Sequence, residues 1–143
     1  MPIFKKKILL KRSSITSRPK FKQKWVKFKG KKIFARSGWE ANVARYLEWL
    51  KSSTIILDWL HEPQTFWFEG IKRGCVSYLP DFKVINIDGS HYWIEVKGRM
   101  DSKSRTKIKR FKKYYPNEPI RVLDSKWYYA NRDKLKALIP GWE

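Results

Sequence analysis

The chain has 143 residues, 16% of them aromatic, with 33 Lys and Arg against 13 Asp and Glu and a net charge of +20. A single cysteine, Cys75, excludes a disulfide framework and a cysteine-based zinc cluster, and no apolar run approaches the ~20 residues that span a bilayer. These bounds leave one domain large enough to bury roughly two-thirds of its unfolded surface, carrying a field that attracts polyanions such as nucleic acid.

Residues 1–36 hold 14 of the 33 basic side chains and no acid. Like charges at that density repel one another until a partner neutralises them. The segment therefore reads as a basic, partly flexible nucleic-acid-binding arm ahead of a domain over 37–143. Lys5, Lys6, Lys7, Lys11, Arg12 and Arg36 are its candidate phosphate contacts. Trp25, Phe28, Ile33 and Phe34 could dock on the domain or stack on bases, and an arm that contacts a partner protein or a larger RNA assembly is the competing reading. The N-terminus lacks the apolar segment and small-residue cleavage site of a secretion signal. With the lone thiol, this points to the cytoplasm.

Ser37 followed by Glu40 forms a capping-box pattern that opens a helix over SGWEANVARYLEWLK. Val43, Tyr46, Leu47 and Leu50 make its apolar stripe, and Glu40 lies at the edge of that stripe. Glu40 is then either a cap alone or a carboxylate aimed into a site on the underlying sheet. Segments 56–63 and 64–70 read as strands, the turn at 70–74 leads to a strand at 75–79, and His61 and His91 lack any zinc-type spacing and read as structural or exposed, with an accessory role for either if it lines a cleft.

Two strand-like runs then flank Asn86-Ile87-Asp88-Gly89. A two-residue Asp88-Gly89 turn would place Asp81 and Glu95 on opposite faces. Asn first and Gly last favour instead a three-residue loop that pairs Asn86 with Ser90 and sets Asp81 opposite Glu95. In that register Phe82, Val84, Tyr92, Ile94 and Val96 form an apolar core face, while Asp81, Lys83, Ile85, His91, Trp93, Glu95 and Lys97 share the other. A basic helix over 99–115 follows, with Ile108, Phe111 and Tyr115 inward and Lys103, Arg105, Lys107, Lys109 and Arg110 free to track phosphates. A strand at 120–123 and a helix over 130–138, packing Leu135, Leu138 and Ile139, complete an α/β domain with a mixed central sheet flanked by helices.

Phosphodiester hydrolysis needs an activated water and neutralisation of charge on the phosphate, which carboxylate-held divalent ions provide. Asp81 and Glu95 are the natural metal ligands, with the Val96 carbonyl between Glu95 and Lys97 and with Glu40 reaching from the helix. Mg2+, a hard ion that keeps several waters, suits such a set, and Mn2+ should substitute. Lys97 shares a face with Glu95 and could orient the water or stabilise phosphorane charge. The bland alternative is a surface salt bridge worth ~0–1 kcal/mol.

Pro80-Asp81 with Glu95-Val96-Lys97 resembles the signature of the PD-(D/E)XK nuclease superfamily. The combination of Arg36-Ser37-Gly38-Trp39-Glu40, Tyr78-Leu79-Pro80-Asp81-Phe82 and Glu95-Val96-Lys97-Gly98 is similar to the phage endonuclease I type of Holliday-junction resolvase, over about residues 36–142. The resemblance implies a restriction-endonuclease-like core and a metal-dependent DNA endonuclease with Glu40, Asp81, Glu95 and Lys97 as active residues. It further implies a branched DNA substrate, a host-cell location if phage-encoded, and a homodimer formed by exchange through a bridging segment. Residues 62–78 hold the comparable position here but read as an ordinary hairpin. A transposase- or restriction-type nuclease subunit is the neighbouring reading. A non-catalytic nucleic-acid-binding or assembly protein on the same fold is the reading from another class.

Overall fold

The computed structural model describes residues 23–143. The elements run β1 (Lys24–Phe28), β2 (Lys31–Ala35), α1 (Gly38–Ser52), β3 (Ile56–His61), β4 (Phe66–Trp67), β5 (Ser77–Tyr78), β6 (Phe82–Asn86), β7 (His91–Lys97), α2 (Ser102–Tyr114), β8 (Ile120–Asp124) and α3 (Ser125–Leu138). A four-stranded sheet of order β3-β6-β7-β8 forms the centre, with β1-β2 and β4-β5 as separate two-stranded pairs. β3, β6 and β7 are antiparallel, and β8 joins β7 in parallel. The long crossover through α2 is what a parallel neighbour requires.

The β6–β7 hairpin has the register that its loop chemistry predicts. Phe82 pairs with Ile94 and Ile85 with His91. The Asn86 N–H donates to the Ser90 carbonyl at 2.8 Å, and the Gly89 N–H donates to Asn86 at 3.0 Å. Gly89 has φ +85°, the left-handed conformation needed to close a three-residue loop. One step before Phe82, Asp81 therefore faces Glu95.

Both sheet faces are covered. On one side α1 and the β1-β2 pair enclose Val26, Ile33, Val43, Leu47, Trp59, Phe82, Val84 and Ile94. Burial of an aliphatic side chain of this kind contributes about 1.5–3 kcal/mol. On the other side, Trp93 packs beneath Phe66, Phe68, Tyr78 and Phe111. The strand face that carries Asp81 and Glu95 is thus covered as well, with Trp93 buried at its centre.

The hairpin Lys24–Ala35 belongs to this folded body, because Val26, Ile33 and Ala35 are buried against α1. Its exposed Lys side chains disguise it in sequence as the end of a basic arm. Residues 62–78 fold back on their own chain: Phe66 pairs with Tyr78, and the Phe68 N–H donates to Val76.

Helix ends differ from the expected bounds because two caps are aspartates. Asp101 accepts from the Ser104 N–H and starts α2; Asp124 accepts from the Trp127 N–H and starts α3 five residues earlier than predicted. In α3, Leu135 is buried and Ile139 beyond its end is buried, but Leu138 is 46% exposed, since Tyr128 and Trp127 take the packing face. No helix among the described residues is long and apolar enough to cross a membrane.

Candidate active site

The ends of β3, β6 and β7 and the first turn of α1 meet at one edge of the sheet. Ser37 caps α1 by accepting the Glu40 N–H at 3.1 Å. Glu40 reaches back in turn, its Oε2 accepting the Arg36 N–H at 3.1 Å. That leaves Oε1, which lies 2.6 Å from His61 Nε2. Glu40 is only 5% exposed, so it is a cap and an inward-facing carboxylate together.

His61 pairs with Phe82 on the α1 side of the sheet, and its ring packs 5.3 Å from the Phe82 ring. One residue on, the Glu62 N–H donates to the Asp81 carbonyl at 2.9 Å. Glu62 has φ 47°, an uncommon backbone for a residue with a side chain, and it turns the chain out of β3. Glu40, His61 and Glu62 each place one ligand atom within 4.8 Å of the others. Sequence reasoning gave His61 only an accessory role if it lined a cleft, and did not select Glu62. The pairing of β3 with β6, which sets Glu62 beside Asp81, cannot be counted across the 20 residues between them as a hairpin register can.

Asp81 and Glu95 project by strand alternation to the α2 side. Asp81 Oδ2 accepts the Val96 N–H at 2.7 Å, and Glu95 Oε2 accepts the Tyr78 hydroxyl at 2.6 Å. The second oxygen of each takes no hydrogen bond among the described residues. Burial raises the Asp81 pKa well above the ordinary carboxyl range, and the charges of Glu95, Glu40 and Glu62 raise it further against the Val96 N–H. Burial also raises the pKa of Glu95, opposed by the Tyr78 hydroxyl and by Lys97 and Lys107. Burial and Glu95 hold Tyr78 firmly in its neutral, donating form.

The structure therefore brings Glu40, Asp81, Glu95 and Lys97 into one electrostatic neighbourhood. Among the described residues the trio of ligand atoms that converges is Glu40–His61–Glu62, whereas Asp81 and Glu95 meet Glu40 through its field. The Val96 main chain is present through its N–H to Asp81. Of the α2 cations, Lys107 reaches the field of Glu95, Lys103, Arg105 and Lys109 are exposed, and Arg110 is committed to the Cys75 carbonyl at 2.7 Å. Arg36 pairs with Glu62 at 3.3 Å. Lys5, Lys6, Lys7, Lys11 and Arg12 lie outside the described residues. His91 and Trp93 both bond Glu118, in a structural contact away from this edge.

A protein-family model described as "Protein of unknown function (DUF1064)" matches residues 18–130. The chain belongs to the DUF1064 family. The match includes Glu40, His61, Glu62, Tyr78, Asp81, Glu95 and Lys97, so the whole carboxylate edge is part of the DUF1064 region. No curated protein and no solved structure matches the chain.

As a donor set, this edge fits a hard divalent cation. It offers hard oxygens with uncommitted lone pairs, and mutual repulsion that a cation would relieve.

Proposed function

We propose that this DUF1064 protein is a divalent-metal-dependent DNA endonuclease that hydrolyses phosphodiester bonds in branched DNA, as a Holliday-junction resolvase of the PD-(D/E)XK type does. The observation that carries the reading is the Asp81–Glu95 pair: two carboxyls facing each other across β6 and β7, both with raised pKa, with Glu40 adding to the same field. A sheet edge optimised for stability alone would replace one of these acids.

Asp81, Glu95 and Glu40 would hold Mg2+, with the Val96 carbonyl as a further oxygen, and Mn2+ would substitute. A bound divalent ion supplies charge neutralisation and a water of lowered pKa. Tyr78 fixes the rotamer of Glu95, His61 fixes Glu40, and the Val96 N–H fixes Asp81. Lys97, two residues beyond Glu95 on the same face, brings its ammonium toward the phosphate. Lys107, from α2, adds positive charge on the Glu95 side.

The net charge of +20 supports a polyanionic substrate. Paired cuts at a four-way junction require two sites, hence two copies of the chain. The reduced thiol of Cys75 suits the cytoplasm.

The test is cleavage of supercoiled plasmid and of a synthetic four-way junction, with Mg2+ or with chelator. The expected result is Mg2+-dependent cutting with preference for the junction. Intact DNA of both kinds in Mg2+ would overturn the proposal.

A further inference from the structure

Beside the first turn of α1 and outside the carboxylate edge lies a cavity of about 290 Å³, close to the roughly 300 Å³ at which small-ligand clefts begin. Its wall is aromatic. Trp39 stacks on Tyr128 with ring centroids 4.0 Å apart and planes 6° from parallel. Tyr129 meets Trp39 edge-on at 5.6 Å and is 59% exposed. The Arg132 guanidinium lies 5.3 Å from the Tyr129 ring.

The polar floor is already satisfied. Asn42 donates to the Tyr128 hydroxyl and the Glu143 carbonyl, and accepts from Arg45 and the Glu143 N–H. The Glu143 carboxylate is paired with Lys24 and Arg45. Among the described residues the cavity presents mainly ring surface, with the Arg132 guanidinium, 3.5 Å from Asp133, at its side.

Its position ties it to the carboxylates twice. Trp39 immediately precedes Glu40 in α1. Gly98, immediately after Lys97, approaches the same indole so closely that a Cβ there would lie 3.2 Å from Trp39 Cζ3. A DNA strand with a phosphate held at Glu40 and Lys97 would have its neighbouring nucleotide within the reach of Trp39's surroundings.

We propose that the cavity takes a nucleobase unstacked from that strand, stacking it on Tyr129 beside Arg132. The proposal rests on the nuclease reading of the adjacent edge, and it narrows the substrate to DNA with an unpaired nucleotide next to the cut phosphate. Stacking on aromatic and guanidinium planes is sequence-tolerant, so the selection is for strand structure and not for base identity.

The test compares, by fluorescence anisotropy in chelator, the affinity of the full chain for labelled oligo-dT and for an abasic strand of equal length. Wild type should favour oligo-dT about fivefold or more, the effect expected of one stacked base. Tyr129→Ala and Arg132→Ala should each remove most of that ratio, and Tyr129→Phe should keep it. Both side chains are exposed, so these variants fold. A wild-type ratio near one overturns the cavity assignment. So does a ratio that both alanine variants retain and Trp25→Ala abolishes, which would place stacking on the β1-β2 pair. Plasmid cutting in Mg2+ on the same preparations separates the two ideas. Cutting without a base preference overturns the cavity alone, and a base preference without cutting overturns the nuclease reading.

Discussion

Asp81 and Glu95 face each other one step beyond the last paired residues of β6 and β7, and among the described residues neither has a cationic hydrogen-bond partner. Asp81 is held by the Val96 N–H at 2.7 Å, Glu95 by the Tyr78 hydroxyl at 2.6 Å. Two neutral donors orient these acids without neutralising them. The charge remains available to a cation.

That arrangement costs stability when no metal is bound. The folded-state pKa of both acids is raised, so the folded form binds protons that the unfolded chain releases. Stability is fullest below the ordinary carboxyl range, about pH 4, and falls as pH rises through the raised values. Metal-free protein should therefore show a Tm component that declines from about pH 4 toward neutrality. Asp81→Asn, which keeps an acceptor for the Val96 N–H, should flatten that component. It should also raise the metal-free Tm at neutral pH by a few degrees, for a relief on the order of 1 kcal/mol. Differential scanning fluorimetry in chelator across pH checks both.

Tyr78→Phe removes the hydroxyl that lowers the Glu95 pKa, so protons compete better with metal at that carboxylate. The expected outcome is a higher Mg2+ concentration for half-maximal cleavage, most pronounced at acid pH, with a stability loss of about 0.5–1.5 kcal/mol. Cleavage against Mg2+ at two pH values and a urea melt measure the two effects.

His61 Nε2 lies 2.6 Å from Glu40 Oε1, within 4.8 Å of ligand atoms of Glu40 and Glu62. Mg2+ is a hard ion held by oxygen ligands and water, which leaves little place for an imidazole nitrogen. Mn2+ should thus support cleavage at lower concentration than Mg2+, and His61→Ala should cost about 10- to 100-fold in activity, the usual scale for a residue that orients a metal ligand. Parallel titrations with both ions on wild type and variant check this.

Much of the site was legible in the sequence because hairpin register is local. Asn86 and Gly89 specify the loop, and the loop places Asp81 opposite Glu95 by counting. Ser37 and Glu40 were legible for the same reason, as a cap within one helical turn. Glu62, and the contacts by which His61 and Tyr78 enter the site, were not, because each reaches the site through pairing or packing with residues distant in sequence. The burial of Trp93 was hidden likewise: alternation assigns it a face, but only the fold of β4, β5 and α2 covers that face. The β1-β2 pair was masked by charge, since four of its ten strand residues are Lys while Val26, Ile33 and Ala35 anchor it.

Gly98 is confined by Trp39, whose ring is held on its other side by Tyr128. A methyl group at 3.2 Å from Cζ3 forces that stack to give by a few tenths of an ångström. Gly98→Ala should destabilise by on the order of 1 kcal/mol, and Gly98→Val by more. Chemical denaturation of the two variants checks the order.

The most direct measurement is cleavage and binding of a four-way junction by wild type, Asp81→Asn and Glu95→Gln in Mg2+. The predicted result is that wild type cuts, while both variants fold and bind the junction but leave it intact. Cutting by either variant at the wild-type rate, or no cutting by wild type, would contradict the assignment of Asp81 and Glu95 as the carboxylates of a metal-dependent nuclease.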